Sequence, residues 1–186
     1  MKTKKDYNMK IQRQIFIDAV LHLKLNIKVS ELLLELQALG YFKAPSSTKY
    51  HGAFEGGLLA HSIEVMTQLC RLSSGLDLTW ERPESPIIIG LFHDLCKSDL
   101  YEWDAENERY VYSDDSWLPG HGERSIIMLQ KLIDLTDEEV ACIRWHMGSY
   151  ETDTKMWAYY DKAIKKYPNV LYTHMADMMA SKIVGI

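Results

Sequence analysis

Residues 86–97 read PIIIGLFHDLCK, and this stretch decides how the rest of the chain is organised. Ile87, Ile88, Ile89, Leu91, Phe92, Leu95 and Cys96 surround the adjacent pair His93 and Asp94, with Lys97 one turn further on. Apolar residues on nearly every face predict a buried helix. An imidazole and a carboxylate inside such a helix are costly unless something compensates them, and a free buried carboxylate tends to take up a proton. A divalent cation removes both difficulties, because it takes neutral imidazole and ionised carboxylate as ligands. Its remaining ligands must then come from other segments.

The chain has 186 residues, 47% of them hydrophobic and 25% charged, which suits one domain with a substantial core. A formal net charge of -5 argues against broad binding to nucleic acid or to an anionic membrane surface. Cys70, Cys96 and Cys142 lie far apart without a CxxC and read as reduced core residues. No apolar run follows the lysines of MKTKKDYNMK, and none reaches the roughly 18 residues of a membrane span. These features predict a cytoplasmic protein.

Outward from 86–97 the pattern is helical. Towards the N-terminus, Ile11, Ile15, Ala19 and Leu23 recur at helical spacing from Met9 to about Leu25, with Phe16 and Val20 widening the stripe. Ser30 is placed to cap a second helix that stops at Gly40. A loop rich in Gly, Ser and Pro then delivers His51 to a helix over 58–72, on which His61 shares a face with Leu58, Val65, Leu69 and Leu72. Towards the C-terminus, two aromatic runs around DAENE predict a small hairpin at about 101–113. A Pro-Gly turn carries His121 into a helix over 123–134. Thr136 and Glu139 form a capping-box signature before a helix over 138–148, with His146 in its last turn. After the polar loop SYETDTK come an aromatic helix over 156–167 and a last helix over 169–186 carrying Asp177. The expected fold class is therefore all-α, a helical bundle with one small β-hairpin insertion.

His61, His93, Asp94, His121, His146 and Asp177 lie on apolar faces or at helix ends beside them. One such residue alone is more often a satisfied core group than a ligand, but six across five segments make independent accidents a poor explanation. Imidazole and carboxylate donors suit Mn, Fe, Co, Ni, Zn or Mg and need no thiolate. Helices converging in a bundle core can present them from facing sides. One or two such ions could clamp the oxygens of a phosphoryl group and acidify a water.

The order H…HD…H…H…D resembles the HD-domain superfamily of metal-dependent phosphohydrolases over about residues 50–182. HGAFEGGLLAHS, FHDLCK, GHGERS, IRWHMG and ADMMAS resemble segments of the HD domain of the bacterial 3′-to-5′ exoribonuclease and related small hydrolases. The resemblance implies a single HD-type domain over 1–186, with residues 1–45 as helices packing on a metal-binding core. It implies that His61, His93, Asp94 and Asp177 hold a first ion, and that Asp94 bridges to a second held by His121 and His146. Asp94 and Lys97 would be the catalytic pair, with Lys97 and His51 contacting the substrate phosphate. The implied activity is hydrolysis of a phosphomonoester or phosphodiester, with a small nucleotide-like substrate. Cys96 stands where the family has glycine, which predicts ordinary helix there. The exoribonuclease's nucleic-acid-binding module has no counterpart in the roughly 50 helical residues before the site, which lowers the expectation of an RNA exonuclease without excluding a short oligonucleotide substrate. The same ligand order occurs in di-iron oxygenases of the inositol-oxygenase type, and a non-catalytic nucleotide-sensing module would keep it too. Trp157, Tyr159 and Tyr160 read as packing or as a base-stacking surface, Arg144 as a surface or ion-pair residue, His22 as a surface residue and His174 as a structural helix residue.

Overall fold

The computed structural model describes residues 7–114, 120–148 and 154–186. Most of them are helical, and a single two-stranded antiparallel sheet is present among them. Helices α1 (Met9–Leu21) and α2 (Val29–Ala38) lead into α3 (Gly57–Gly75) and α4 (Ser85–Phe92). A short 3₁₀ turn, Leu95–Ser98, precedes the hairpin β1 (Tyr101–Asp104) and β2 (Arg109–Tyr112). Then follow α5 (His121–Leu129), α6 (Asp137–Trp145), α7 (Trp157–Lys166), α8 (Asn169–Met178) and a π-helical turn, Met179–Val184. No helix among the described residues is long and apolar enough to cross a membrane.

In α1 the buried face is the narrower part of the expected stripe, and in α2 the cap differs from expectation. Asn8 starts α1 by accepting hydrogen bonds from the Lys10 and Ile11 amides. The helix ends four residues before Leu25, and its buried stripe is Phe16 and Val20, continued beyond the helix by Leu23. Ile11 is 56% exposed instead. The ring of Phe16 meets those of Tyr41, Phe42 and Phe92, so aromatic packing sets the rotation of α1. Ser30 does not cap α2, which begins one residue earlier without a side-chain cap bond. Gly40 reverses the chain after α2 at φ 86°, a left-handed conformation open to glycine.

α3 and α4 form the centre of the bundle, lying against α6 and α8. They approach closely because Gly90 presents no side chain: a Cβ there would stand 2.3 Å from the Met66 Cα. A buried glutamate ties the start of α4 to that of α6. Glu139 accepts from the Arg82 guanidinium at 2.7 Å through both oxygens and from the Ser85 hydroxyl at 2.8 Å. It also closes the predicted capping box with Thr136.

The stretch 86–97 is not one helix. α4 stops at Phe92, His93 is its C-cap, and Asp94 leaves helical geometry at φ -108°, ψ 23°. Cys96 accordingly lies in the 3₁₀ turn rather than in ordinary helix. The last helix is also interrupted, since the winding widens to π just after Asp177. α5 starts at His121 itself and ends at Leu129, so the helix is shorter than the 123–134 expected. The hairpin is present, with Tyr101 opposite Tyr112 and Asp104 opposite Arg109. Part of the Pro-Gly turn before His121 and most of the SYETDTK loop lie outside the described residues.

Candidate metal centre

His61 faces inward from the second turn of α3, and its ring lies 5.3 Å from that of His93. The His93 ring lies in turn 5.0 Å from that of His146, at the C-cap of α6. Asp94 sits among them. Its carboxylate is 3.6 Å from His61 Nε2, 3.4 Å from His93 Nε2 and 3.5 Å from His146 Nε2. Asp177, from the last turn of α8, approaches His61 Nε2 at 3.2 Å.

All three buried imidazoles are oriented alike. His61 Nδ1 donates to the Ile186 main-chain oxygen at 2.9 Å, His93 Nδ1 to the Gly90 carbonyl at 3.1 Å, and His146 Nδ1 to the Ile143 carbonyl at 2.7 Å. A donating Nδ1 leaves Nε2 as a lone pair in the neutral ring. Those three Nε2 atoms and Asp94 Oδ1 are buried without a hydrogen-bond partner. Buried polar atoms without partners are rare and costly, and an imidazole whose other nitrogen is held by a carbonyl is the arrangement of a metal ligand. Two groups have ligand atoms within 4.8 Å of one another and could hold a metal ion here: His61, His93 and Asp94, and His93, His146 and Asp177.

The break at His93 and Asp94 explains how adjacent residues serve one point. Successive side chains on a helix diverge by about 100°. Leaving the helix at Asp94 lets its carboxylate turn to the same side as the His93 ring.

His121, at the start of α5, belongs to a third group that could hold a metal, with Asp94 and Cys96. His146, 3.5 Å from Asp94 through Nε2, shares a group with His93 and Asp177.

Lys97 puts its ammonium 2.7 Å from Asp94 Oδ2. Burial works against that charge, but the Asp94 carboxylate outweighs it and raises the Lys97 pKa above its ordinary value. For Asp94, burial alone would raise the pKa, yet Lys97 and then His93 hold it well below the usual carboxylate range. Asp177 is likewise depressed against burial, chiefly by the adjacent His61 ring. Burial lowers His121. His51, whose ring lies 5.1 Å from that of His61, is pushed down to about 4 by burial and then by His61 and Lys97. All the expected site residues thus lie in or beside one cluster, with the partly exposed His51, Lys97, His121 and Asp177 at its edge.

Several supports were not read from the sequence. Gly90 and Gly122 permit the close helix contacts; a Cβ on Gly122 would stand 2.4 Å from the Arg144 carbonyl oxygen. Buried Arg124 donates to the Cys96 carbonyl at 3.3 Å and to Asp99 at 2.6 Å, and Ser125 Oγ accepts from the Cys96 amide at 3.1 Å. Glycine within an apolar helix and an arginine in GERS were the available signals. His174 is structural, bonding the His146 carbonyl at 2.7 Å, and Arg144 pairs with Glu123 at 2.7 Å. Tyr160 packs on Trp145, while Trp157 and Tyr159 are exposed.

A cleft of about 670 Å³ lies between loop 40–55 and the hairpin, lined by none of the cluster's own residues but by Ser98, next in the chain to Lys97. Lys43, Phe54, Ser98, Tyr101, Trp103 and Tyr110 line it. Its volume is that of a small-molecule site.

No protein-family model, curated protein or solved structure matches this chain.

Proposed function

We propose that this chain is a divalent-metal-dependent phosphohydrolase of the HD-domain type, cleaving a phosphomonoester or phosphodiester of a small, nucleotide-like substrate. The observation that carries the reading is the set of buried, unpartnered Nε2 atoms on His61, His93 and His146 around Asp94, each ring held by a main-chain oxygen at its other nitrogen. The donors fit Mn, Fe, Co, Ni, Zn or Mg.

His61, His93, Asp94 and Asp177 would hold one ion, and His121 and His146 would complete a second around Asp94. A bound divalent cation supplies polarisation of a phosphoryl oxygen and lowers the pKa of a water. The protein's part is to present these donors without reorganisation and to place positive charge where phosphate charge develops. Lys97 does the latter: partly exposed and already anchored by Asp94, it can share its other protons with a phosphate oxygen. His51, neutral down to about pH 4, offers a further hydrogen bond at the accessible edge. The aromatic cleft suits the organic portion of the substrate, since Trp103 and Tyr110 offer faces on which a planar ring can stack.

The test combines elemental analysis of the purified protein with a phosphoester panel under Mn, Co, Ni and Mg. Wild type should contain metal and turn over at least one class of phosphoester, while His93→Ala and Asp94→Ala should lose both. Full hydrolysis by metal-free Asp94→Ala protein would overturn the reading. Oxygen uptake by iron-loaded protein without hydrolysis would replace it by a di-iron oxygenase.

A further inference from the structure

The third ligand group has a feature absent from the other two, a sulfur donor. Cys96 Sγ lies 3.5 Å from His121 Nδ1, and both have ligand atoms within 4.8 Å of one on Asp94. Metal bonds of about 2.3 Å to sulfur and about 2.0 Å to nitrogen, at a tetrahedral angle, hold the two ligand atoms about 3.5 Å apart. The observed spacing meets that requirement without movement of either side chain.

The surrounding structure holds the pair in register. Ser125 Oγ accepts from the Cys96 amide and Arg124 donates to the Cys96 carbonyl. Both residues belong to α5, the helix that begins with His121. The turn carrying the sulfur and the helix carrying the imidazole are therefore joined by two side-chain hydrogen bonds from α5 to the Cys96 main chain. Cys96 is buried, in no disulfide, and its main chain needs no glycine-like conformation. Asp94 Oδ1, on the third member, is buried and has no hydrogen-bond partner.

We propose that Cys96 Sγ, His121 Nδ1 and Asp94 hold the second cation, which makes that position a mixed sulfur, nitrogen and oxygen site. This rests on the metal-centre reading above. On binding, the Cys96 S–H bond breaks, its proton passes to solvent, and the sulfur electron pair becomes the metal bond. A thiolate donor favours Zn, Co or Fe over Mg. It also exposes the position to oxidative loss. The two positions then differ in chemistry, the first built of nitrogen and oxygen alone.

The experiment is titration of the metal-free, reduced full chain with Co(II), followed by absorbance. Wild type should take up two equivalents, one of them bringing a near-ultraviolet thiolate-to-cobalt charge-transfer band. Cys96→Ser should bind one equivalent tightly, lack the band, and bind the second at least about 100-fold more weakly, beyond the 10–100-fold that outer partners cost. Cys70→Ser should keep the band. Two equivalents in wild type with no such band would overturn the proposal and leave the hydrolase reading standing. Binding of no Co(II) at all would overturn both. Should Cys96→Ser fail to fold, the wild-type spectrum alone decides the matter.

Discussion

Replacing Gly90 by alanine sets two effects of opposite sign against each other. Gly90 lies inside α4 at a conformation any residue accepts, so alanine there should gain about 1 kcal/mol from helix propensity. The added methyl, however, would stand 2.3 Å from Met66 Cα and 2.6 Å from Met66 N, where ordinary contacts begin at 3.4 Å. The obstacle is main chain, which cannot swing aside, so α3 and α4 must part by about 1 Å. Overpacking of this kind costs about 1–3 kcal/mol or more. At the upper end the net loss is about 2 kcal/mol, or roughly 4–8 °C in Tm for a chain of this length. The same displacement separates His61 on α3 from His93 at the end of α4, and should weaken the first metal by roughly 10–100-fold, as misoriented ligands do. The assay is thermal unfolding of metal-free protein together with a competitive Zn titration. Gly75→Ala is the matched control, because a Cβ there meets nothing within 4 Å. It should leave metal affinity unchanged and Tm the same or slightly higher, since Gly75 is the last residue of α3. An unchanged or higher Tm for Gly90→Ala, with wild-type metal affinity, would refute the claim that this helix contact builds the site.

Glu139→Ala should remove the capping box and leave Arg82 without its carboxylate, bonded only to the Asp134 carbonyl, costing about 3–5 kcal/mol in urea unfolding; a loss below about 1 kcal/mol would contradict the structural role assigned to that carboxylate. Asp104 is held below the usual carboxylate range, first by the Asn107 side chain and then by the Asn107 amide. Its folded pKa being the lower one, the turn's stabilisation is full above the unfolded value of about 3.9 and is lost as pH falls through the folded value. An NMR titration of the Asn107 amide should show that midpoint below about 3.9, and a midpoint above it would reverse the sign. Trp103→Ala should raise KM for the best phosphoester found while leaving metal content and fold intact, because its ring is 54% exposed in the cleft; an unchanged KM would remove the cleft from the substrate site.

Much of the site was legible because its members are polar groups in apolar surroundings. His61 stands out beside Leu58, Val65 and Leu69, and His93 and Asp94 within PIIIGLFHDLCK, since burial of such groups demands a partner. The hairpin and the Thr136–Glu139 capping box were legible for a local reason: their signals lie within a few residues of one another. The stripe of α1 reads too broadly, because helical spacing alone does not show which of its members other segments cover: Phe16 and Val20 are buried, and Ile11 and Ile15 are exposed. Cys96 was read as core, since a cysteine among leucines gives no sign of what its sulfur faces.

The sequence by itself determined that the chain is mostly helical with one hairpin, and which histidines and aspartates ride on buried faces, because periodicity and burial cost are local properties. Only the tertiary structure decided that α4 ends at Phe92, so that two adjacent residues turn toward one point. It alone placed His146 with His93 and Asp177, and His121 with Cys96. Those choices depend on where Gly90 and Gly122 let helices meet and on which main-chain oxygen each Nδ1 finds. Main-chain oxygens such as that of Ile186, which turns His61 Nε2 toward Asp94 from 125 residues further along the chain, leave no trace in sequence spacing.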